Sequence, residues 1–168
     1  MTLAKPINKY IDYIDAPEDT FEQYVEKALK YDFRCVFANL QEYATGRAML
    51  EGSDIILAGA IDFPQGTMTL EEKLARFEEY AACGFTEIDY VLNQESVENR
   101  DFDAIEHEMT TIADFCRERG ITDKVIVEMC KLDGDDVAKR RVCEIALEAK
   151  PGFLKTSTGR SFGGAKLQ

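Results

Sequence analysis

Residues 69–93 of this 168-residue chain read TLEEKLARFEEYAACGFTEIDYVLN, and this stretch predicts a helix followed by a buried strand. Thr69 and Glu72 have the spacing of a capping box, which favours the start of a helix. Apolar residues then repeat at helical spacing, at Leu74, Phe77 and Ala81. Gly84 is placed to end the helix, and Glu87–Leu92 is apolar at nearly every position, as in a strand buried on both faces.

The same alternation of a short β-rich run and an amphipathic segment recurs along the chain. The other predicted strands are a weaker Tyr10–Ile14, then Phe33–Phe37, Ile55–Ile61, Lys124–Met129 and Gly152–Thr156. Two further helices are predicted, at residues 102–120 and at 133–148, the second with its inward face at Val137, Val142, Ile145 and Ala149. Connections of this length demand parallel strands, and both an open doubly wound sheet and a (β/α) barrel fit the pattern.

Composition limits the class of protein. The chain has 32 acidic and 20 basic residues, a net charge of −12, which disfavours a nucleic acid or an anionic membrane as the main partner. Its five cysteines form no CxxC pair, and no apolar run or secretory signal stands out, so we expect reduced thiols in a cytoplasmic protein. A single histidine, His107, excludes a multi-histidine metal site and predicts a solvated surface residue. No linker interrupts the sequence, so residues 1–168 are expected to form one domain.

Two charged residues interrupt apolar strands near the carboxyl ends, where parallel α/β folds bind ligands. Lys155, if buried, would be driven toward the neutral amine that imine chemistry with a carbonyl substrate requires. The alternative interpretation of Lys155 is a structural lysine whose side chain extends to solvent. Asp89 is a candidate for proton transfer, or else a structural carboxylate. Glu128 is more consistent with a structural partner.

The segment after Lys155 offers hydroxyl groups and backbone amides at the end of a strand. It comprises Thr156, Ser157, Thr158 and Gly159, followed by Gly163 and Gly164. Such a segment can bind a phosphate group, and it can equally be an ordinary turn.

Taken together, these motifs resemble those of the deoxyribose-phosphate aldolase family, class I aldolases with a (β/α)8 TIM-barrel fold. Residues 155–159, KTSTG, match the element that carries the family's Schiff-base lysine, which falls on Lys155. Residues 87–93, EIDYVLN, resemble the strand whose aspartate serves in proton transfer, which falls on Asp89. The resemblance extends from about residue 9 to residue 165 and implies an α/β barrel-type chain with about six β/α units present.

The sequence also departs from the family pattern. Asp62 replaces a glycine before Phe-Pro and is expected to add a carboxylate near the pocket. The family's first strand and its Cys-Val strand are only partly matched, which leaves Asp12 and Cys35 as the substrate-contact candidates there. The strands that carry the family's second active-site lysine have no counterpart in the 168 residues, and Lys131 is the candidate to replace that lysine.

The resemblance implies cleavage of 2-deoxy-D-ribose 5-phosphate to acetaldehyde and D-glyceraldehyde 3-phosphate, with neither a metal nor a cofactor. The expected partner is a small sugar phosphate or aldehyde, and self-association is expected because strands lacking their neighbours expose pairing edges. Two alternatives stay open. One is an impaired relative that binds sugar phosphates or acts as an interaction module. The other is a Schiff-base aldolase for a different aldehyde pair, favoured by Asp62 and by the altered first strand.

Overall fold

A computed structural model describes residues 3–160 and 163–165. Within these residues the helices are α1 (Phe21–Tyr31), α2 (Tyr43–Met49), α3 (Leu70–Cys83), α4 (Gln94–Asn99), α5 (Phe102–Arg119) and α6 (Asp136–Ala149). The strands are β1 (Cys35–Phe37), β2 (Ile56–Ile61), β3 (Glu87–Val91), β4 (Thr122–Ile126) and β5 (Phe153–Lys155). Short 3₁₀ helices cover Ile7–Tyr10 and Met129–Leu132. None of the described helices is both long and apolar enough to cross a lipid bilayer.

The chain divides into two compact units, of which the first is Met1–Ala60. Here β1 and β2 pair in parallel, with Cys35 opposite Ile56. The buried Tyr24 of α1 fixes the approach to β1, because its hydroxyl donates to the Tyr13 carbonyl at 2.6 Å and accepts from the Phe37 amide at 2.8 Å. One side chain thereby joins the segment before α1 to the end of β1.

The second unit is Ile61–Gln168, in which β3, β4 and β5 pair in parallel in that order. Helix α3 begins at the Thr69 capping box and ends at Gly84, as predicted. Helices α3, α5 and α6 bury the side chains of Phe77, Ile112 and Val142. Because the three strands run the same way, their carboxyl ends lie at one edge of the sheet, where the candidate residues come together.

Some predictions were wrong. Residues 10–14 do not form a strand, since the structure has only an isolated parallel bridge between Asp12 and Cys35. The apolar side chains of this segment stay on the surface, which leaves no burial to stabilise a strand. Val137 does not face inward and is 80% exposed, because the buried stripe of α6 runs through its neighbour Ala138. Strand β5 is also more exposed than a strand buried on both faces, with Phe153 at 45%.

Candidate active site

The structure brings Lys155 and Asp89 together from strands that lie on either side of β4. The Lys155 ammonium nitrogen, Nζ, lies 2.5 Å from Oδ2 of Asp89. The Asp89 side chain is only 3% exposed, whereas that of Lys155 is 25% exposed and therefore open to a small molecule. The amine therefore lies beside the carboxylate, and the role of each group in catalysis stays a prediction.

A second ammonium group shares the same carboxylate, and no sequence motif indicated it. Lys124 Nζ lies 2.8 Å from Oδ1 of Asp89 and 2.7 Å from Oε1 of Glu87, and its side chain is fully buried. The register explains the contact, because Asp89 of β3 stands opposite Lys124 of β4 and both side chains leave the same face. Charge thus alternates along a row of contacts from Glu87 through Lys124 and Asp89 to Lys155.

Asp89 is the carboxyl of this row that burial affects most clearly. Burial raises the pKa of the Asp89 carboxyl above its ordinary value, and the two neighbouring ammonium groups offset the rise only in part. A carboxyl that accepts a proton more readily than usual, 2.5 Å from an amine, is a suitable partner for proton exchange with that amine or with a hydroxyl group held beside it.

The loop after Lys155 is fixed by Glu128, which supports the structural role predicted for that residue. Oε2 of Glu128 accepts from the Thr158 amide at 3.1 Å and from the Thr158 hydroxyl at 2.6 Å. Both Thr158 donors therefore hold the loop and its side chain is buried, while its predicted contact with substrate stays a prediction. Gly159 follows in a left-handed conformation, with φ 71°, that favours glycine.

Several of the other predicted ligands line one cavity of about 630 Å³ at the carboxyl ends of β4 and β5. Thr156, Ser157 and Gly164 contribute to its wall, whereas Gly163 is exposed. Cys130 and Lys139 line the same cavity, although neither was singled out from the sequence. The segment between Gly159 and Gly163 lies partly outside the described residues.

The expectation that Lys131 stands in for a second lysine stays a prediction; besides Lys155, the ammonium group that the structure places on Asp89 is that of Lys124. Lys131 lies on the 3₁₀ helix after β4, and its Nζ is 2.7 Å from Oε1 of Glu98. Once the chain leaves the strand, the alternation that would aim a side chain at Asp89 is lost.

Asp12 and Cys35 belong to the first unit. The Asp12 carboxylate accepts from Arg34 Nε at 2.7 Å, and Cys35 is fully buried beside it in the isolated bridge. Their predicted contact with substrate stays a prediction.

Asp62 does not present its carboxylate to a substrate. Its backbone is left-handed, with φ 57°, and its oxygens accept from the amides of Thr67 at 3.0 Å and Met68 at 2.8 Å. The carboxylate closes its own turn, so Asp62 gives no support for a different aldehyde pair. His107 is exposed on α5, as predicted.

No protein-family model matches the chain, but comparison with known proteins finds relatives that share one name. It is 37% identical over 156 residues to the deoxyribose-phosphate aldolase of Lactobacillus acidophilus, covering 93% of this chain and 65% of the relative. It is 32% identical to the deoxyribose-phosphate aldolase of Finegoldia magna, covering 96% of this chain and 76% of the relative. The chain therefore spans about two thirds to three quarters of the length of these relatives.

Solved structures similar to this chain carry the same family name. A tetrameric deoxyribose phosphate aldolase from Aeropyrum pernix matches with a TM-score of 0.74 and 26% identity, over 89% of this chain and 63% of the other. A Coccidioides immitis protein assigned as a deoxyribose-phosphate aldolase matches with a TM-score of 0.81 and 22% identity, over 95% of this chain and 63% of the other. The fold class is α/β of the (β/α)8 barrel type, and this chain covers part of that barrel.

Proposed function

Because the chain belongs to the deoxyribose-phosphate aldolase family, we propose that it is a Schiff-base lyase with Lys155 as the nucleophile. The substrate is 2-deoxy-D-ribose 5-phosphate and the products are acetaldehyde and D-glyceraldehyde 3-phosphate. Self-association, as in the tetrameric Aeropyrum pernix relative, is proposed alongside this activity.

The contact between Lys155 Nζ and Asp89 carries the proposal. In the first step Lys155 passes its proton to Asp89, whose pKa is raised by burial, and the free amine attacks the aldehyde carbon C1. Asp89 returns this proton to the hydroxyl group of the carbinolamine, which leaves as water, so an iminium ion forms and Asp89 is ionised again. The C2–C3 bond then breaks, its electrons move to the iminium, and the C3 hydroxyl gives up its proton as glyceraldehyde 3-phosphate leaves.

Asp89 gives the proton taken from the C3 hydroxyl to C2 of the remaining enamine, and water then hydrolyses the imine to release acetaldehyde and restore the lysine. Asp89 is the proposed carrier of the C3 hydroxyl proton, because it is the carboxyl in contact with the nucleophile. Lys124 competes with Lys155 for this carboxylate and holds it in place from the buried side. No Lewis acid is required, since the iminium ion itself accepts the electrons.

Trapping with borohydride tests the central step. The protein is incubated with acetaldehyde or with the sugar phosphate, reduced, digested and mapped by mass spectrometry. We expect an adduct on the peptide that contains Lys155 in the wild type and in K150R, an exposed lysine in the same unit, and none at that position in K155R. D89N should lower turnover by about 10²–10⁴-fold.

The absence of an adduct at Lys155 in the wild type would overturn the proposal. If sugar phosphates then still raise the thermal midpoint, the chain is a binding module and not an enzyme.

A further inference from the structure

A second row of buried charges lies in the same unit and takes no part in the proposed chemistry. Lys73 of α3 is fully buried, and its Nζ lies 2.6 Å from Oε1 of Glu108 on α5. Asp62, at the end of β2, approaches the same ammonium group at 3.5 Å. Buried ions are unfavourable unless they are paired and hydrogen-bonded, so one lysine between two carboxylates calls for a reason.

Each carboxylate also holds backbone at the carboxyl ends of the strands. Asp62 accepts from the Thr67 and Met68 amides, and Oε2 of Glu108 accepts from the Asn93 amide at 3.1 Å. Lys73 therefore links the turn after β2 to the segment after β3. Asn93 lies on that segment, four residues after Asp89.

The backbone of these two segments is in direct contact as well. The Gln94 amide donates to the Gly66 carbonyl at 2.8 Å, and the Gln94 side-chain amide donates to the Leu92 carbonyl at 2.9 Å and to the Val127 carbonyl at 3.3 Å. These hydrogen bonds join the turn after β2 to the segments that follow β3 and β4.

We propose that Lys73 is a positioning residue whose ammonium group, set between Asp62 and Glu108, holds residues 62–68 and Asn93 as a fixed rim above the strand that bears Asp89. The kinetic part of this inference rests on the proposed function, whereas the structural part does not. A rim that is already fixed before the substrate binds can hold the substrate beside the reacting groups without first having to become ordered.

The charged groups around Lys73 predict how its loss would behave. Asp62 and Glu108 face it from the turn and from α5, and Tyr90 of β3 lies near Glu108 with a pKa that burial raises well above its ordinary value, so its phenol stays neutral. In K73M, a variant of similar shape, two buried carboxylates would face each other with no cation between them. They repel while ionised, and protonation of either one relieves the repulsion.

Hydrogen exchange at the rim amides tests this. In K73M we expect the Thr67, Met68 and Asn93 amides, corrected for intrinsic rate, to be deprotected on the order of tenfold more at pH 8 than at pH 5. The Met129 amide, which donates to the Thr156 carbonyl, serves as the control and should not follow. The double variant K73M/E108Q keeps an acceptor for Asn93, removes one charge, and should restore protection at pH 8.

The same variants give a kinetic test. At pH 8, the fold increase in KM for the sugar phosphate in K73M should exceed the fold decrease in imine trapping with acetaldehyde. K73M/E108Q should return KM toward the value of the wild type. If the wild type forms no adduct, the proposed function fails, and hydrogen exchange alone decides the role of Lys73.

Rim exchange in K73M that is the same at both pH values, or a double variant that restores nothing, would overturn the inference. If K73M folds at pH 5 but not at pH 8, or if K73M/E108Q folds where K73M does not, the repulsion between the two carboxylates destabilises the whole unit, which supports the inference. Failure of both variants to fold at both pH values would assign Lys73 to the core of the unit and also overturn it.

Discussion

At the scale of single residues, the second unit contains buried charges of two kinds. Lys124 and Lys73 are fully buried, and each contacts two carboxylates within 3.5 Å. Asp123 is different, because its Oδ1 accepts from the Gly152 amide while its buried Oδ2 has no hydrogen-bond partner among the described residues. A paired charge can stabilise a fold, whereas a half-satisfied one lowers its stability.

Asp123 leads to a prediction about pH. Burial raises the pKa of its carboxyl above the ordinary value of 3.8. At pH values between the pKa in the unfolded chain and the raised pKa in the folded protein, the folded protein binds more protons than the unfolded chain. The free energy of unfolding therefore falls as pH rises through that interval. D123N cannot ionise, so we expect its free energy of unfolding relative to the wild type to increase between pH 3.5 and pH 7, by on the order of 1 kcal/mol.

Urea titrations of both proteins at several pH values measure this difference. D103N, at an exposed position on α5, is the control for changing one carboxylate to an amide. A difference between D123N and the wild type that stays constant with pH would show that ionisation of Asp123 does not weaken the fold.

At the scale of elements, α3 and β4 show how far local sequence determines structure. The Thr69 capping box and Gly84 bound α3 as predicted, because both signals act on the backbone within a few residues. Strand β4 was predicted at Lys124–Met129 and is found at Thr122–Ile126. Glu128 has φ 62°, a left-handed conformation that ends the strand, and its carboxylate is held by a loop 30 residues later, which local sequence does not reveal.

The turn after β2 gives a prediction at this scale. Gly66 has φ 66°, and a Cβ atom added there would lie 2.5 Å from the Leu92 carbonyl oxygen, a backbone atom. Gly120 has nearly the same φ, 67°, with nothing within 4 Å of such an atom. Because both pay the strain of positive φ, G66A should lower the free energy of unfolding by about 2–3 kcal/mol more than G120A.

Chemical denaturation of the two variants under one set of conditions makes this comparison. Equal losses would mean that the turn after β2 moves away from β3 without penalty, and they would also weaken the case for a fixed rim.

At the scale of the whole molecule, the net charge of −12 dominates the electrostatics. Like charges repel one another most strongly in the compact state, and salt screens this repulsion over about 10 Å at 0.1 M. The innermost ion pairs, those of Lys73 and Lys124, are shielded from solvent and respond less to salt.

We therefore expect the thermal midpoint to rise as sodium chloride increases from about 0.02 M to 0.3 M, the range over which screening changes most. Differential scanning calorimetry measures this, and potassium chloride in place of sodium chloride controls for specific binding of the cation. A midpoint that falls over this range would mean that surface ion pairs contribute more to stability than the overall repulsion removes.

The sequence alone predicted strands β1 to β5, helices α3, α5 and α6, the candidate pair Asp89 and Lys155, and the family resemblance, because periodicity, caps and short motifs are local properties of the chain. Only the tertiary structure decided what each charge contacts. Lys124 joins Asp89 through the register of two strands, Asp62 turns into its own loop, and Glu128 holds Thr158. These contacts join residues that are distant along the chain or are fixed by backbone conformation, and sequence patterns specify neither.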